Sequence, residues 1–201
     1  RLIDNVGFIA AVKYSKKHNL KLLPIFIYNK SQTGKKNDYR SKNAIVFMME
    51  SLNNLNDRIK KYGGNLYTFV GDGSINNDIK ILELINKKIK TKSIFFNSDF
   101  TPFSKSRDNH IEKYCKKKEI ICCYFYDYLL SSSPNNLLKK DRNVYTTFTP
   151  FKNNAYNYFK KNKIVISDYK DFKNVFVKTK IKTETIDIPD CKIDLKGSRH
   201  D

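Results

Sequence analysis

The sequence predicts an α/β fold in which a doubly wound, mostly parallel sheet carries helices on both faces. Short apolar segments of strand length alternate along the chain with longer segments whose apolar residues recur every three to four positions. An order of this kind joins parallel strands through crossover helices. The first strand segment is apolar at every position, as expected for a strand that is covered on both faces.

The strands are predicted from short runs rich in apolar, β-branched and aromatic residues. The first run contains Pro24, which lacks a backbone donor and is therefore tolerated only near the start of a strand. The predicted strands are residues 22–28, 66–70, 93–97 and 119–125.

Helices are predicted between the strands from periodicity and from capping residues. Asp4 is expected to cap the first helix and Ser74 the third, while Gly63 and Gly64 end the second. The first predicted helix ends near residue 19, and the next three span about 45–62, 75–89 and 104–118. A last amphipathic helix is predicted around 151–159.

The alternation of strands and helices stops after Asp127. From Lys163 onward, short β-prone pieces at 164–166 and 175–177 show no helical period. We therefore expect one α/β domain over residues 1–160 and an irregular interdomain linker over residues 161–201.

The charge of the chain is strongly unbalanced. The 201 residues include 39 Lys and Arg against 20 Asp and Glu, a formal net charge of +19. Such a charge favours a polyanionic partner, with nucleic acid ahead of a membrane surface. The alternative is a skewed coding composition with no partner, because most of the positive charge is Lys. The hydrophobic content of 40% excludes a disordered chain, and no apolar run approaches the roughly 20 residues that cross a bilayer.

Cysteine and histidine suggest neither a metal site nor a nucleophile. The cysteines have no metal-ligand spacing, and no His has a Ser or Cys partner of the kind that catalytic triads use. We predict no disulfide framework and no catalytic residue in this chain. With no leader visible after Arg1, an intracellular location, cytoplasm or nucleus, is expected. The cysteines are Cys115, Cys122, Cys123 and Cys191.

Two segments stand out from a generic α/β domain. Gly71-Asp72-Gly73-Ser74 could cradle a phosphate at a helix N-terminus or could form a tight turn with a capping serine. The aromatic-rich residues 96–108 leave the carboxyl end of a strand, where open parallel sheets bind ligands. Aromatic side chains with one carboxylate suit a planar chromophore or base that forms hydrogen bonds.

Five stretches match, in order along the chain, the pattern of one known family. They are Arg1-Leu2-Ile3-Asp4-Asn5, Leu23-Pro24-Ile25-Phe26-Ile27, the helix segment 47–55, Asn97-Ser98-Asp99-Phe100-Thr101-Pro102-Phe103 with Arg107-Asp108, and Phe148-Thr149-Pro150-Phe151-Lys152-Asn153. Together they resemble the amino-terminal α/β domain of the photolyase/cryptochrome family, class I type, over residues 1 to about 160.

The resemblance implies a Rossmann-like, five-stranded sheet whose first strand would precede Arg1. It also implies a larger helical domain that binds FAD and the damaged DNA, and that is absent from these residues. The family's electron-relay tryptophans have no counterpart, since the chain contains no Trp. We therefore expect this chain to be inactive in repair without the helical domain, and whether it is itself an enzyme stays open.

The resemblance further implies a light-harvesting chromophore. It places Asp99, Tyr28, Asn29 and Asn97 in the chromophore-binding region, with Asp99 facing a ring of isoalloxazine type. Phe103 stands, with its neighbour Ser104, where folate-type members carry an Asn-Glu pair, so a deazaflavin or flavin is favoured over a folate. The alternative for Asp99 is a structural cap of the helix that begins at Ser104.

Arg107, Asp108, Phe148 and Phe151 are implied as contacts to the helical domain; a surface ion pair and simple packing are the alternatives. The leading hypothesis is the amino-terminal, light-harvesting portion of a DNA photolyase that repairs pyrimidine dimers. Its partners would be DNA and the helical domain, in the same chain or a separate one, and no membrane. The alternatives are a cryptochrome-like photoreceptor and a stand-alone basic α/β module that binds nucleic acid.

Overall fold

The structure, a computed structural model, describes residues 1–131, 133–164 and 169–190. The helices are α1 (Val6–Lys17), α2 (Lys30–Thr33), α3 (Lys42–Lys60), α4 (Ile75–Ile89), α5 (Pro102–Lys117) and α6 (Phe148–Lys161), with a 3-10 turn at Pro134–Leu137. The strands are β1 (Ile25–Asn29), β2 (Tyr67–Gly71), β3 (Ser93–Asn97) and β4 (Ile121–Phe125). Cys191, the β-prone residues 165 and 166, and the rest of the predicted linker after residue 190 lie outside the described residues.

The strands form two parallel pairs. β1 pairs with β2 from Ile25 opposite Tyr67 onward, and β3 pairs with β4 from Ser93 opposite Ile121 onward. Within the described ranges no backbone ladder joins the two pairs, so the continuous sheet expected from the sequence is observed as two sheets. Side chains connect them instead, because Ile25 packs both against the cluster beneath β1 and β2 and against the cluster beneath β3 and β4.

Alternate residues of each strand face opposite helical layers. On β3, Phe95 contacts Tyr14 of α1, with 5.4 Å between the ring centroids. Its neighbour Ile94 packs against Leu82 of α4 and Tyr114 of α5. β1 divides in the same way between α3 and α4. Helices therefore cover both faces, and the predicted doubly wound α/β class is confirmed.

The first helix begins one residue later than predicted. Asn5 is the cap, because it is extended and its Oδ1 accepts a hydrogen bond from the backbone N of Phe8 at 3.0 Å. Asp4 has a φ of 54°, a left-handed conformation that Asp tolerates but that does not lead into a helix. The predicted cap of α4 is confirmed, since Ser74 Oγ accepts from the backbone N of Asn77 at 3.2 Å.

The segment after α6 returns to the core as a strap, here residues 169–186. Phe172 and Val175 are each 1% exposed and pack, with Phe176, among side chains of α1 and α3. The backbone N of Leu22 donates to the carbonyl of Val175 at 2.8 Å, and the N of Val177 donates to the carbonyl of Leu22 at 2.9 Å. The strap holds no regular helix or strand. Its role as an interdomain linker stays a prediction, but these residues are packed.

Farther along, the strap covers the edge of β2 that β1 leaves unpaired. The backbone N of Glu184 donates to the carbonyl of Thr68 at 2.7 Å, and the N of Val70 donates to Glu184 Oε2 at 2.9 Å. Ile181 adds an apolar contact to the cluster of β2 and α4. An edge covered in this way cannot pair with a strand of another molecule.

Candidate functional site

A cavity of about 210 Å³ opens at the carboxyl ends of β3 and β4, beside α5. Four aromatic side chains line it: Phe96, Phe100, Tyr124 and Tyr126. Phe100 and Tyr126 stack with 5.5 Å between their ring centroids and only 9° between the ring planes. The ring centroids of Phe96 and Tyr124 lie 6.2 Å apart. We call this site the aromatic cavity. Flat ring faces of this kind suit a planar aromatic ligand.

Asp99 lies in the cavity wall at the start of α5. Its Oδ1 accepts a hydrogen bond from the backbone N of Phe100 at 2.6 Å, and its Oδ2 accepts from Ser104 Oγ at 3.3 Å. Thr101 caps the helix, with its Oγ1 accepting from the backbone N of Ser104 at 3.2 Å. α5 therefore begins two residues before the predicted Ser104, with Pro102 at its first position. Asp99 both steadies this helix start and lines the cavity.

Arg107 and Asp108 form an ion pair on α5, and Asp108 also accepts a hydrogen bond from the loop after β3. Arg107 Nε and Nη2 both donate to Asp108 Oδ1, at 2.9 and 2.6 Å. Ser98 Oγ donates to Asp108 Oδ2 at 2.9 Å. This carboxylate lines the aromatic cavity, so the pair contributes to the site itself. Its role as a domain contact stays a prediction.

The charge of the cavity lining is opposite to that of the chain. Asp99, Asp108 and Glu112 line the cavity together with a single lysine, Lys105, whereas the whole chain carries +19. Acidic side chains repel anions and accept hydrogen bonds. The ring N–H donors of a ligand therefore suit this lining better than a phosphate group does.

Asn97 points to a different part of the molecule from Asp99. Its Oδ1 accepts from the backbone N of Gly7 at 3.1 Å, and its Nδ2 donates to Asn5 Oδ1 at 3.0 Å and to Asp127 Oδ2 at 3.3 Å. These contacts hold the N-terminus of α1 against the ends of β3 and β4, and Asn97 does not line the aromatic cavity.

Tyr28 and Asn29 lie at the carboxyl end of the other strand pair. Tyr28 is buried against Ile45 and Met49 of α3, and burial raises the pKa of its hydroxyl. Asn29 Oδ1 accepts from the backbone N and from the Oγ of Ser31, at 2.8 and 2.6 Å, and so caps α2. Neither residue lines the aromatic cavity. Their role in chromophore binding stays a prediction.

The two predicted interface phenylalanines lie on α6. Phe148 is 73% exposed, and Phe151 contacts Tyr145 edge to face with 6.1 Å between the ring centroids. Sequence reasoning missed four residues of the cavity wall: Asn109, Glu112, Tyr124 and Tyr126. The two-residue period of the tyrosines places both on one face of their strand. The pairing of Phe96 with Tyr124 makes this the face that carries Phe96.

The glycine-rich turn between β2 and α4 satisfies its own backbone donors. Asp72 Oδ1 accepts from the backbone N of Ser74 at 2.7 Å, and Asn77 Oδ1 accepts from the N of Asp72 at 3.1 Å. Gly73 has a φ of 105°, which favours glycine. The structure thus shows the tight turn with a capping serine, with these amides already bonded.

Asp78 is a buried carboxylate in the first turn of α4. It is 6% exposed, and its Oδ1 has no hydrogen-bond partner within the described ranges. A Cβ on Gly71 would lie 2.8 Å from this oxygen, so the glycine leaves room for the carboxylate. Burial raises the pKa of Asp78, and the nearby charge of Arg107 opposes this shift in part.

We expect Asp78→Asn to stabilise the fold at neutral pH. The pKa of this carboxyl in the folded state lies above its unfolded value of about 3.9. The folded protein therefore loses stability as the pH rises from the unfolded value through the folded value. The variant should therefore gain about 1 kcal/mol in unfolding free energy near pH 7 and almost nothing near pH 3. Urea denaturation at both pH values measures this, with the exposed Asp38→Asn as control. An equal gain at both pH values would show that ionisation is not the cause.

Comparison with known proteins identifies the family of this chain. The model of the DNA photolyase family matches residues 1–167. The chain belongs to the DNA photolyase family. Curated relatives of this family member include Cryptochrome-1 of Aedes aegypti, 27% identical over 124 residues, and Cryptochrome-1 of Anopheles gambiae, 28% identical over 126 residues. Each alignment covers 61% of this chain and 22% of the relative, so the chain spans about a fifth of their length.

Solved photolyase and cryptochrome structures share the fold. An archaeal photolyase from Sulfolobus tokodaii, described with two FAD molecules and an implied novel light-harvesting cofactor, is 32% identical with a TM-score of 0.61. The match covers 82% of this chain and 33% of the photolyase chain. A class III photolyase from Agrobacterium tumefaciens is 21% identical with a TM-score of 0.73. This match covers 92% of this chain and 35% of the Agrobacterium chain.

The remaining features of the chain concern metals, membranes and thiols. Over the described ranges, no group of His, Cys, Asp and Glu is arranged to hold a metal ion, and no helix has the length and apolarity to span a membrane. Cys115, Cys122 and Cys123 are free thiols. Burial raises the pKa of Cys115 to about 12, so this thiol is protonated at neutral pH.

Proposed function

We propose that this chain is the amino-terminal, light-harvesting portion of a DNA photolyase, and that the aromatic cavity holds a planar chromophore of deazaflavin or flavin type. The observation that carries the proposal is the position of Asp99 among aromatic rings at the carboxyl ends of β3 and β4. The two FAD molecules described for the 32% identical Sulfolobus tokodaii photolyase support a flavin.

Each part of the cavity has a role in this proposal. The stacked pair of Phe100 and Tyr126 offers a flat face for the ring system. Asp99 has acceptor capacity beyond its bonds to the helix start and receives a ring N–H. Asp108, held by Arg107, keeps the loop after β3 in place through its hydrogen bond from Ser98. The chromophore absorbs light, and in the complete protein the energy passes to an FAD in the helical domain, where DNA is repaired.

The proposal predicts that Asp99→Asn and Tyr126→Ala weaken chromophore binding. Losing a hydrogen bond to a charged group costs about 1.5–3 kcal/mol, so Asp99→Asn should raise the Kd for FAD or for a deazaflavin about tenfold or more. Fluorescence titration of the chain with each compound measures the Kd. The exposed Tyr39→Ala and Asp38→Asn serve as matched controls and should leave it unchanged.

Three outcomes would count against the proposal. The chain could fail to bind either compound, the Asp99→Asn and Tyr126→Ala variants could bind as tightly as the unchanged chain, or a folate could bind more tightly than a flavin. Binding that is lost equally in the Tyr39→Ala control would point to damage of the fold instead of the cavity.

A cryptochrome-like photoreceptor is the second candidate, because the curated relatives are cryptochromes. The aromatic cavity serves both candidates equally well. An assay of light-dependent dimer repair by the complete protein distinguishes them: repair supports the photolyase, and light-dependent signalling without repair supports the photoreceptor.

A further inference from the structure

Two cysteine thiols lie where the end of α5 packs against the start of β4. Cys115 is near the end of α5 and is 1% exposed. It belongs to an apolar cluster against which Cys122 of β4 also packs. Both cysteines are free thiols in the structure. We call these two residues the thiol pair.

A tight turn between α5 and β4 brings the thiol pair together. The backbone carbonyl of Cys115 accepts hydrogen bonds from the backbone N of Lys118 at 3.1 Å and from that of Ile120 at 2.9 Å. Ile120 and Cys122 are two residues apart in an extended segment, so their side chains point to the same side of it. Both pack in the cluster that contains Cys115. The side chain of Cys122 is therefore directed towards α5.

The neighbouring Cys123 points the other way. Because it follows Cys122 directly in β4, its side chain lies on the opposite face of the strand. Cys123 is paired with Phe95 of β3, and the ring of Phe95 contacts Tyr14 of α1. Cys123 therefore faces the layer of α1, and the chain itself provides a thiol of similar exposure outside the pair.

The surroundings of the thiol pair favour a stable disulfide once one has formed. Burial is the main cause that raises the pKa of both thiols, and each thiol also influences the pKa of the other, which requires the two sulfurs to be close. Dithiols that are strong oxidants have a stabilised reduced form. A pair whose thiolates are disfavoured has no such stabilisation, so its disulfide should resist reduction.

We propose that Cys115 and Cys122 form a reversible disulfide that ties α5 to β4, with a small disulfide such as glutathione disulfide as the oxidant. The Cys122 thiolate attacks one sulfur of glutathione disulfide, and one glutathione leaves as its thiolate. Cys115 then gives its proton to solvent and attacks the Cys122 sulfur, which expels the second glutathione. In total, two cysteine thiols are oxidised to one disulfide, and one glutathione disulfide is reduced to two glutathione molecules.

The exposure of each thiol assigns its step. The first step needs contact with a molecule in solvent, and Cys122 is partly exposed whereas Cys115 is buried. The second step is intramolecular, so the burial of Cys115 does not prevent it. Because the thiolate is the nucleophile, the raised pKa values make both steps slow. We therefore expect formation of the disulfide to take minutes to hours.

The disulfide would lie beside the aromatic cavity. α5 contributes Glu112 to the cavity wall, three residues before Cys115, and β4 contributes Tyr124, two residues after Cys122. The bond would therefore join the helix and the strand that form two sides of this cavity. The inference does not depend on chromophore binding there.

Mass spectrometry of the full 201-residue chain tests the proposal. The reduced protein is incubated with excess glutathione disulfide near pH 7.5, remaining thiols are alkylated, and the chain is digested with trypsin without reduction. The peptide Tyr114-Cys115-Lys116 should appear linked to the peptide of residues 119–139, which holds both Cys122 and Cys123. Dithiothreitol should abolish the linked species. Cys191 does not affect this measurement, since it lies in a different tryptic peptide.

Serine variants decide which thiol of residues 119–139 is used. Cys122→Ser should lose the linked peptide, whereas the matched control Cys123→Ser should form it like the unchanged chain. Cys115→Ser should stop at the mixed disulfide and carry one glutathione on Cys122. Cys115→Ala, with an apolar side chain at the buried position, should give the same result if the serine variant does not fold. Circular dichroism verifies the fold of each variant.

Any of four results would overturn the proposal. The folded chain could yield no linked peptide, or it could yield one only after unfolding in urea. The linked peptide could persist in Cys122→Ser, or it could be lost equally in Cys123→Ser. Each result would show that Cys115 and Cys122 are not a selective pair in the folded protein.

Discussion

Replacing Phe172 by Ala should lower the free energy of unfolding by about 3–5 kcal/mol, the usual cost of emptying a buried phenylalanine site. The side chain is 1% exposed. Its ring lies 5.5 Å from that of Phe8 in α1, 5.3 Å from that of Tyr62 after α3, and 5.9 Å from that of Tyr169 in the strap. Because these contacts come from distant parts of the sequence, the cavity left by Ala cannot easily close. Urea denaturation followed by circular dichroism measures the loss.

Two further variants keep this prediction testable. Phe172→Leu retains most of the volume and should lose less stability than Phe172→Ala, which matters if the alanine variant does not fold. Ile188→Ala changes a 70% exposed residue of the same terminal segment and should alter stability by less than about 0.5 kcal/mol. A loss below about 1 kcal/mol for Phe172→Ala would show that the strap does not pack as the structure describes.

Gly64→Ala should destabilise the fold by about 2–3 kcal/mol or more, because the space for a side chain is already filled. A Cβ at Gly64 would lie 2.6 Å from Cβ and 2.7 Å from Cδ2 of Phe176, and closer still to its Cγ. Phe176 is only 6% exposed, and the backbone bonds of its two neighbours to Leu22 hold it in place. The ring therefore has little freedom to move aside. Thermal and urea unfolding of the variant measure the effect.

The adjacent glycine provides the matched control for this prediction. Gly63 has a φ of 78° and open space where a Cβ would stand. Gly63→Ala should therefore cost only about 1 kcal/mol, from backbone strain alone. Combining Gly64→Ala with Phe176→Ala should cost less than the two changes summed, since the second change makes room for the first. Simple additivity in this double variant would contradict the close approach of Gly64 and Phe176.

The strap, which both of these predictions test, also covers part of the predicted chromophore region. Ile186 packs against the cluster that contains Tyr28, and the side chain of the adjacent Thr185 partly offsets the rise in the pKa of Tyr28 that burial causes. Tyr28 is therefore enclosed between α3 and the strap. The aromatic cavity, in contrast, remains open and is built without the strap.

Part of the site at the carboxyl ends of the strands could be predicted from the sequence. Asp99 could be recognised because it lies two residues after the end of a predicted strand and among aromatic residues, a local pattern. Tyr124 and Tyr126 were not recognised, since their membership in the site depends on the parallel pairing of β3 with β4. Asn97 is two residues from Asp99 in sequence, yet it bonds to Asn5 and Asp127.

The sequence by itself determined the strands, the helices longer than one turn and the α/β class, because periodicity and caps act within a few residues of the chain. The four-residue helix α2 was not predicted. It also determined the family, since ordered motifs such as Phe148-Thr149-Pro150-Phe151-Lys152-Asn153 need no tertiary contact to be recognised. Only the tertiary structure decided that residues 169–186 return to the core and that Asp99 has Tyr126 as a neighbour in the cavity wall. Both depend on contacts between residues far apart in the chain, and local sequence does not encode which distant partners side chains will meet.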